Sequence, residues 1–198
     1  MAVARTTLVA VAAAALLSAG SGFALAAPTA AVSRFDDGSF EYPAAPANAF
    51  STLAAGQSIG PWKVTSGAVD LIGAGFWQAA EGDQSVDLNA TEAGAVAQTF
   101  ATTPGRTYTV TYSLAANPAG GPAVKTGRVL LDGQNIQDFS FDSTGKTRAA
   151  MGYVTRQVTF VAGAASTTIG FASTVPGAYG PVIDDVRVQT CCPCSCDS

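Results

Sequence analysis

The chain has 198 residues, a net charge of −4 and no histidine. Lysines and arginines are scattered singly, so the clustered cations that nucleic acid or an anionic membrane surface would require are missing. The absence of histidine removes the commonest general base, every Ser–His or Cys–His nucleophile pair and the ordinary catalytic zinc sites.

Arg5, the apolar run Leu8–Leu17 and the small-x-small site Ala24-Leu25-Ala26 form a Sec-type signal peptide over residues 1–26. The apolar run is shorter than the roughly 20 residues of a membrane span, and no transmembrane segment is expected in the mature chain. About 170 residues follow, the size of one domain. Residues 27–33 read as a short lead, 34–190 as the domain and 191–198 as a tail that carries all four cysteines, Cys191, Cys192, Cys194 and Cys196. No disulfide is therefore expected inside the domain. Exported thiols oxidise, so the tail is either a tether to a covalent partner, a soft-metal site or a terminus with local disulfides.

Asp36 to Glu41 reads as a turn entering a strand-like end. Phe50–Ser58 is either a strand end or one helical turn. Trp62 opens a strand, and short alternations follow at Val69–Ile72, Ser85–Leu88 and Ala95–Phe100, separated by glycine-rich turns. Thr107–Leu114 is the cleanest strand: Tyr108, Val110, Tyr112 and Leu114 take one face. Further strands are expected at Val124–Leu131, Asp138–Ser143, Tyr153–Val161, Ser166–Ser173 and Val182–Gln189. Nine or ten short strands and no amphipathic helix predict an all-β chain, an antiparallel β-sandwich.

Three groups of residues carry candidate chemistry. In the last strand, parity places Asp184 with Val182, Val186 and Val188 on the inward face. A buried carboxylate needs donors or a metal. Among metals Ca²⁺ suits hard oxygen ligands, and the alternative is an aspartate that caps backbone amides. Trp77 with Gln78, and Tyr179 within Gly177–Pro181, sit in breaker-rich loops, where an aromatic face beside polar groups suits a sugar; core packing is the other reading of Trp77. Glu81, Asp83 and Asp87 could form a glycosidase pair, and they read instead as solvated charges, Asp87 as an outward strand residue. Asn89-Ala90-Thr91 matches a glycosylation sequon.

The run Gly38-Ser39-Phe40-Glu41 and the closing run Val182-Ile183-Asp184-Asp185-Val186-Arg187-Val188 resemble the entry and last strand of galactose-binding-like modules. Between them stand Trp62-Lys63-Val64, Trp77-Gln78-Ala79-Ala80, Gln84 to Asn89, Gly120 to Lys125 and Gly177 to Pro181. In this order and spacing the chain resembles the bacterial choice-of-anchor C family, over about residues 34–190. The resemblance implies a jelly-roll, galactose-binding-domain-like sandwich, an exported and non-catalytic protein, and polysaccharide of the cell wall or extracellular space as partner. It also implies a structural Ca²⁺ held by Glu41 and Asp184. The entry carries Asp37 where the family usually has Asn, and the tail matches no sorting motif. A structural or adhesion protein of the envelope, tethered through the tail, is the alternative function.

Overall fold

The structure is a computed structural model and describes Met1 and residues 32–190. The signal peptide and the cysteine tail lie outside the described residues. Thirteen strands form, in order β1 (Val32–Arg34), β2 (Phe50–Ala54), β3 (Ser58–Ile59), β4 (Trp62–Ser66), β5 (Ala68–Ile72), β6 (Ser85–Asp87), β7 (Ala95–Ala101), β8 (Thr107–Ala116), β9 (Val124–Leu131), β10 (Gln134–Asp142), β11 (Val154–Val161), β12 (Ser166–Ser173) and β13 (Pro181–Thr190). Every strand expected from alternation is present. The ambiguous Phe50–Ser58 segment resolves as β2 and the start of β3. The entry run Gly38–Glu41 is a turn without a strand, with Phe40 at φ 60°.

The first sheet has the order β11-β8-β13-β6-β5-β2, with β1 added beside β13; the second runs β10-β9-β12-β7-β4-β3. All pairs are antiparallel. The two sheets face each other as a jelly-roll β-sandwich. Alternation supplies the core between them. Tyr112 of β8 meets Phe171 of β12 at 4.8 Å between ring centroids, and Trp62 meets Phe171 at 6.2 Å. Trp62 is fully buried, and its indole N–H donates to the Asp37 carbonyl at 3.0 Å.

The first sheet is buried on its second face as well. All three residues of β6 are buried, which a half-solvated strand would not show. The cover is the β5–β6 loop together with the segment before β11. Trp77 of that loop donates to Ser85 Oγ at 2.8 Å, Gln78 N–H donates to the Arg148 carbonyl at 2.8 Å, and Met151 N–H donates to Gln78 Oε1 at 3.1 Å.

The parity expected for β13 is broken by a bulge. The register against β8 shifts between Asp184 and Arg187, and Asp185 takes φ 48°. Ile183 opposes Leu114 and Val188 opposes Val110, so both face the inter-sheet core although they are an odd five positions apart. The extra residue flips the strand. Asp184, opposite Ser113, therefore turns away from the inter-sheet core and lies under the β5–β6 loop, not on a face shared with Val188.

Gly38 holds the entry turn against this bulge: Val186 N–H donates to the Gly38 carbonyl at 2.8 Å, and a Cβ at Gly38 would run into the Val186 carbonyl. Gly38→Ala is therefore expected to cost about 1–3 kcal/mol, the range of overpacking. Gly163→Ala, with open space around its Cβ position, serves as a near-neutral control. Urea unfolding of the two variants checks the contrast.

Candidate functional site

Where the loops over the first sheet stop short, a cleft of ≈ 370 Å³ remains. Its floor is built by register. Thr52 of β2 pairs with Asp70 of β5, and Asp70 pairs with Asp87 of β6. The three side chains thus line up across adjacent strands on the face opposite Val69, Leu71 and Val86. Thr52 Oγ1 donates to Asp70 Oδ1 at 2.6 Å.

Asp87 is 1% exposed. Its Oδ1 accepts from the amides of Asn89 at 2.9 Å and Gly180 at 3.1 Å, and its Oδ2 accepts from Asn117 Nδ2 at 2.8 Å. It stitches the β13 and β8 loop ends to β6. This corrects the reading of Asp87 as an outward, solvated residue: it does point away from the inter-sheet core, but loops cover that face. Burial pushes its carboxyl up to about 7 against those three donors, with the Asp70 charge adding to the rise. Burial also raises Asp70, opposed by the Thr52 hydroxyl.

The walls are aromatic. On one side Phe50, 47% exposed, meets Phe76 edge-on at 5.6 Å, and Phe76 meets Trp77 at 5.4 Å. The Arg148 guanidinium lies 4.2 Å from the Phe76 ring centroid. On the other side stands Tyr179, 40% exposed. Gly120 approaches its ring so closely that a Cβ there would strike it. Lys125, whose ammonium donates to the Gly120 carbonyl at 2.6 Å, sits 5.8 Å from the Tyr179 ring centroid. Gly120 of the β8–β9 loop and Lys125 at the start of β9 thus hold this ring in place.

Trp77 and Tyr179 both line the cleft, but Trp77 is 6% exposed with its N–H committed to Ser85. It supports the wall from beneath and does not present an open platform. Gln78 is not part of the lining; its amide oxygen holds Met151. Phe50, Thr52, Asp70 and Arg148 escaped the sequence reading. The one signal for Asp70 was a carboxylate alternating with Val69 and Leu71, as Asp87 does with Val86 and Leu88, and only the register shows that the two are neighbours. Asn89 of the sequon is fully buried, with Nδ2 donating to the carbonyls of Val175 and Gly177 at 2.8 and 2.6 Å, so the folded chain offers it to no glycosylating enzyme.

The residues expected to hold calcium meet N–H groups instead. Asp184 Oδ2 accepts from Ala80 at 2.7 Å and Glu81 at 3.1 Å, and its Oδ1 accepts from Asp185 at 2.6 Å. Glu41 Oε1 accepts from Asp83 and Gln84, both at 2.9 Å. Calcium takes 6–8 oxygen ligands. Among the described residues no group of three or more His, Cys, Asp or Glu side chains is placed for a metal. As placed, Glu41 and Asp184 clamp the β5–β6 loop through its amides and do not fit the ion.

The chain belongs to the family described as "Protein of unknown function (DUF642)", whose model matches residues 33–189. Halomucin of Haloquadratum walsbyi is 30% identical over 145 residues, 71% of this chain; the chain spans only 2% of that relative's length. Solved structures of similar fold include a family 35 carbohydrate binding module from Clostridium thermocellum (13% identity, 81% of this chain and 97% of that one, TM-score 0.45). Others are CBM35 from Cellvibrio japonicus Abf62 (20%, 71% and 92%, 0.48) and the CBM22-1 xylan-binding domain from Paenibacillus barcinonensis Xyn10C (15%, 74% and 97%, 0.47). The fold is an all-β jelly-roll sandwich of two antiparallel sheets. No helix among the described residues is long and apolar enough to cross a membrane.

Two outcomes follow for the buried carboxyls. Asp87 and Asp184 are both raised to about 7, above the unfolded value near 3.9. The folded chain then binds more protons than the unfolded one between these values, so their contribution to stability is full below about pH 4 and is lost as pH rises towards 7. In Asp87→Asn that loss should be smaller; the advantage of the wild type over the variant is expected to shrink from pH 4 to 7 and stay flat above, read by denaturant unfolding at each pH. Separately, a chelator should leave the melting temperature unchanged. Asp184→Ala should instead lower stability by about 1–3 kcal/mol through unpaired buried amides.

Proposed function

We propose that the protein is an exported, non-catalytic carbohydrate-binding module that holds cell-wall or extracellular polysaccharide in the cleft between Tyr179 and the Phe50–Phe76 wall. The observation that carries this reading is the cleft itself: aromatic rings on two sides and hydroxyl-orienting groups, Thr52, Asp70 and Arg148, between them. Rings cover the apolar C–H faces of a sugar, and a carboxylate beside a guanidinium orders its hydroxyls. Its volume lies within the roughly 300–1,000 Å³ of small-ligand sites. A binding role also suits Asp87, whose carboxylate is spent on three structural hydrogen bonds and is closed to solvent. Within the family, the motifs from Gly38 to Val188 favour the choice-of-anchor C branch, and the signal peptide of residues 1–26 favours export.

The run Cys191-Cys192-Pro193-Cys194-Ser195-Cys196 favours a second reading, an envelope protein tethered by disulfides. Release from intact cells by reductant alone would support it.

The test of the cleft is retention on insoluble polysaccharide, with melting measured alongside. Tyr179→Ala and Asp70→Asn should each weaken retention tenfold or more with the melt nearly unchanged, because both side chains are partly open to solvent. Trp77→Ala should behave differently, losing about 3–5 kcal/mol of stability as a buried aromatic. Wild-type retention in both Tyr179→Ala and Asp70→Asn would remove the cleft as the site.

A further inference from the structure

The two sheets leave their edge strands β10 and β11 on the same side of the sandwich, and between them lies a slot of ≈ 240 Å³. Three side chains reach it from the inter-sheet face. Tyr112 comes from β8. Arg156 of β11 is its cross-strand partner, in phase with the core residues Val158 and Phe160. Gln137 of β10 is in phase with the core residues Phe139 and Phe141. Alternation would place apolar side chains at both edge positions, and the sequence supplies a guanidinium and an amide.

Tyr112 is 1% exposed, and its hydroxyl has no hydrogen-bond partner. A buried polar atom left unpaired in a native structure calls for an explanation. Burial pushes the phenol up to about 12, so it stays protonated and offers a donor. Arg156 forms no ion pair among the described residues. Two donors, one of them cationic, therefore face the same slot without an acceptor. The carboxylate at its rim, Asp138, is engaged elsewhere: its Oδ1 accepts from Asn135 Nδ2 at 3.0 Å and lies 3.5 Å from Arg128 Nε.

We propose that this slot is a second ligand site, separate from the aromatic cleft, and that it takes a carboxylate group, carried either by an acidic sugar or by a free organic acid. The carboxylate accepts from the Tyr112 hydroxyl and from the Arg156 guanidinium, the charge-assisted geometry that favours arginine for such groups. Gln137 and Ser140 are the remaining polar groups of the lining and serve the hydroxyls of a sugar ring. An inward-pointing charge on an edge strand also serves to block edge-to-edge pairing, and the test must separate that role from binding.

Calorimetric titration of the full chain with glucuronate, acetate and neutral galactose makes the separation. Saturable glucuronate binding that weakens tenfold or more in both Tyr112→Phe and Arg156→Gln supports the site, with Tyr112→Phe melting at or above the wild-type temperature because an unpaired hydroxyl has gone. If acetate remains silent, the ligand is an acidic glycan; if it binds with the same sensitivity to both variants, the carboxylate alone is recognised and a free acid is the source. No saturable binding of either carboxylate overturns the proposal, as does glucuronate binding unchanged in Tyr112→Phe. An Arg156→Gln chain that self-associates yet binds normally also overturns it, leaving the arginine as an edge guard. Loss of the binding in Tyr179→Ala overturns it too, by moving the carboxylate into the aromatic cleft. Failure of polysaccharide retention in the cleft leaves the slot unaffected, so the two readings fall separately.

Discussion

The structure depends on how the outer face of the first sheet is covered. A sheet packed on one side against a partner sheet ordinarily leaves its other side to water. Here that side is closed by loops, whose backbone amides would be costly to bury without acceptors. The acceptors are carboxylates. Asp184 takes the amides of Ala80 and Glu81, Glu41 takes those of Asp83 and Gln84, and Asp87 takes those of Asn89 and Gly180. Each aspartate sits on a strand and each amide on a loop, so every such bond docks a loop on the sheet. The glycines where these parts meet follow from the same crowding. Gly82 leaves no room for a Cβ beside Glu41, and Gly180 none beside Asp87 and Asn89.

The bulge in β13 makes this arrangement available. Without the extra residue between Asp184 and Arg187, the strand that puts Ile183 in the inter-sheet core could not also put Val188 there. With it, one strand serves the inter-sheet core at both ends and still delivers Asp184 to the opposite face. Asp185 accepts the left-handed φ that the bulge requires, which aspartate tolerates better than most residues, and its carboxylate holds Arg187 Nε at 2.7 Å.

Alternation made the strands legible. Tyr108, Val110, Tyr112 and Leu114 lie on one face in the chain as in the sequence, and the sandwich follows from the number of such runs. Alternation says which residues share a face but not what covers it. That is why Asp87 read as solvated and Asp184 as a core anomaly, although both occupy the same loop-covered surface. Tyr179 stood out in its breaker-rich loop because such a loop cannot bury a ring on both sides. Trp77 stood out for the same reason, yet the indole N–H found Ser85 and the ring was drawn inward. Thr52 and Asp70 were invisible, since their meaning is a cross-strand register that no local pattern encodes.

The cleft and the edge slot differ in how their polar groups are satisfied, and this bears on what each does. In the cleft the deepest carboxylate, Asp87, is fully engaged by the protein, while the partly open Asp70 keeps one oxygen beyond its bond to Thr52. Asp70 thus offers an open oxygen beside a carboxyl that the protein's own donors hold. In the slot the order is reversed: the buried group, Tyr112, is the unengaged one, and the exposed rim carries Asp138, whose charge is met by Arg128. An unengaged buried donor weakens the free protein and is relieved by an acceptor. Stability is thus traded for affinity in the slot, whereas in the cleft the buried floor carboxylate, Asp87, also docks loops on the sheet.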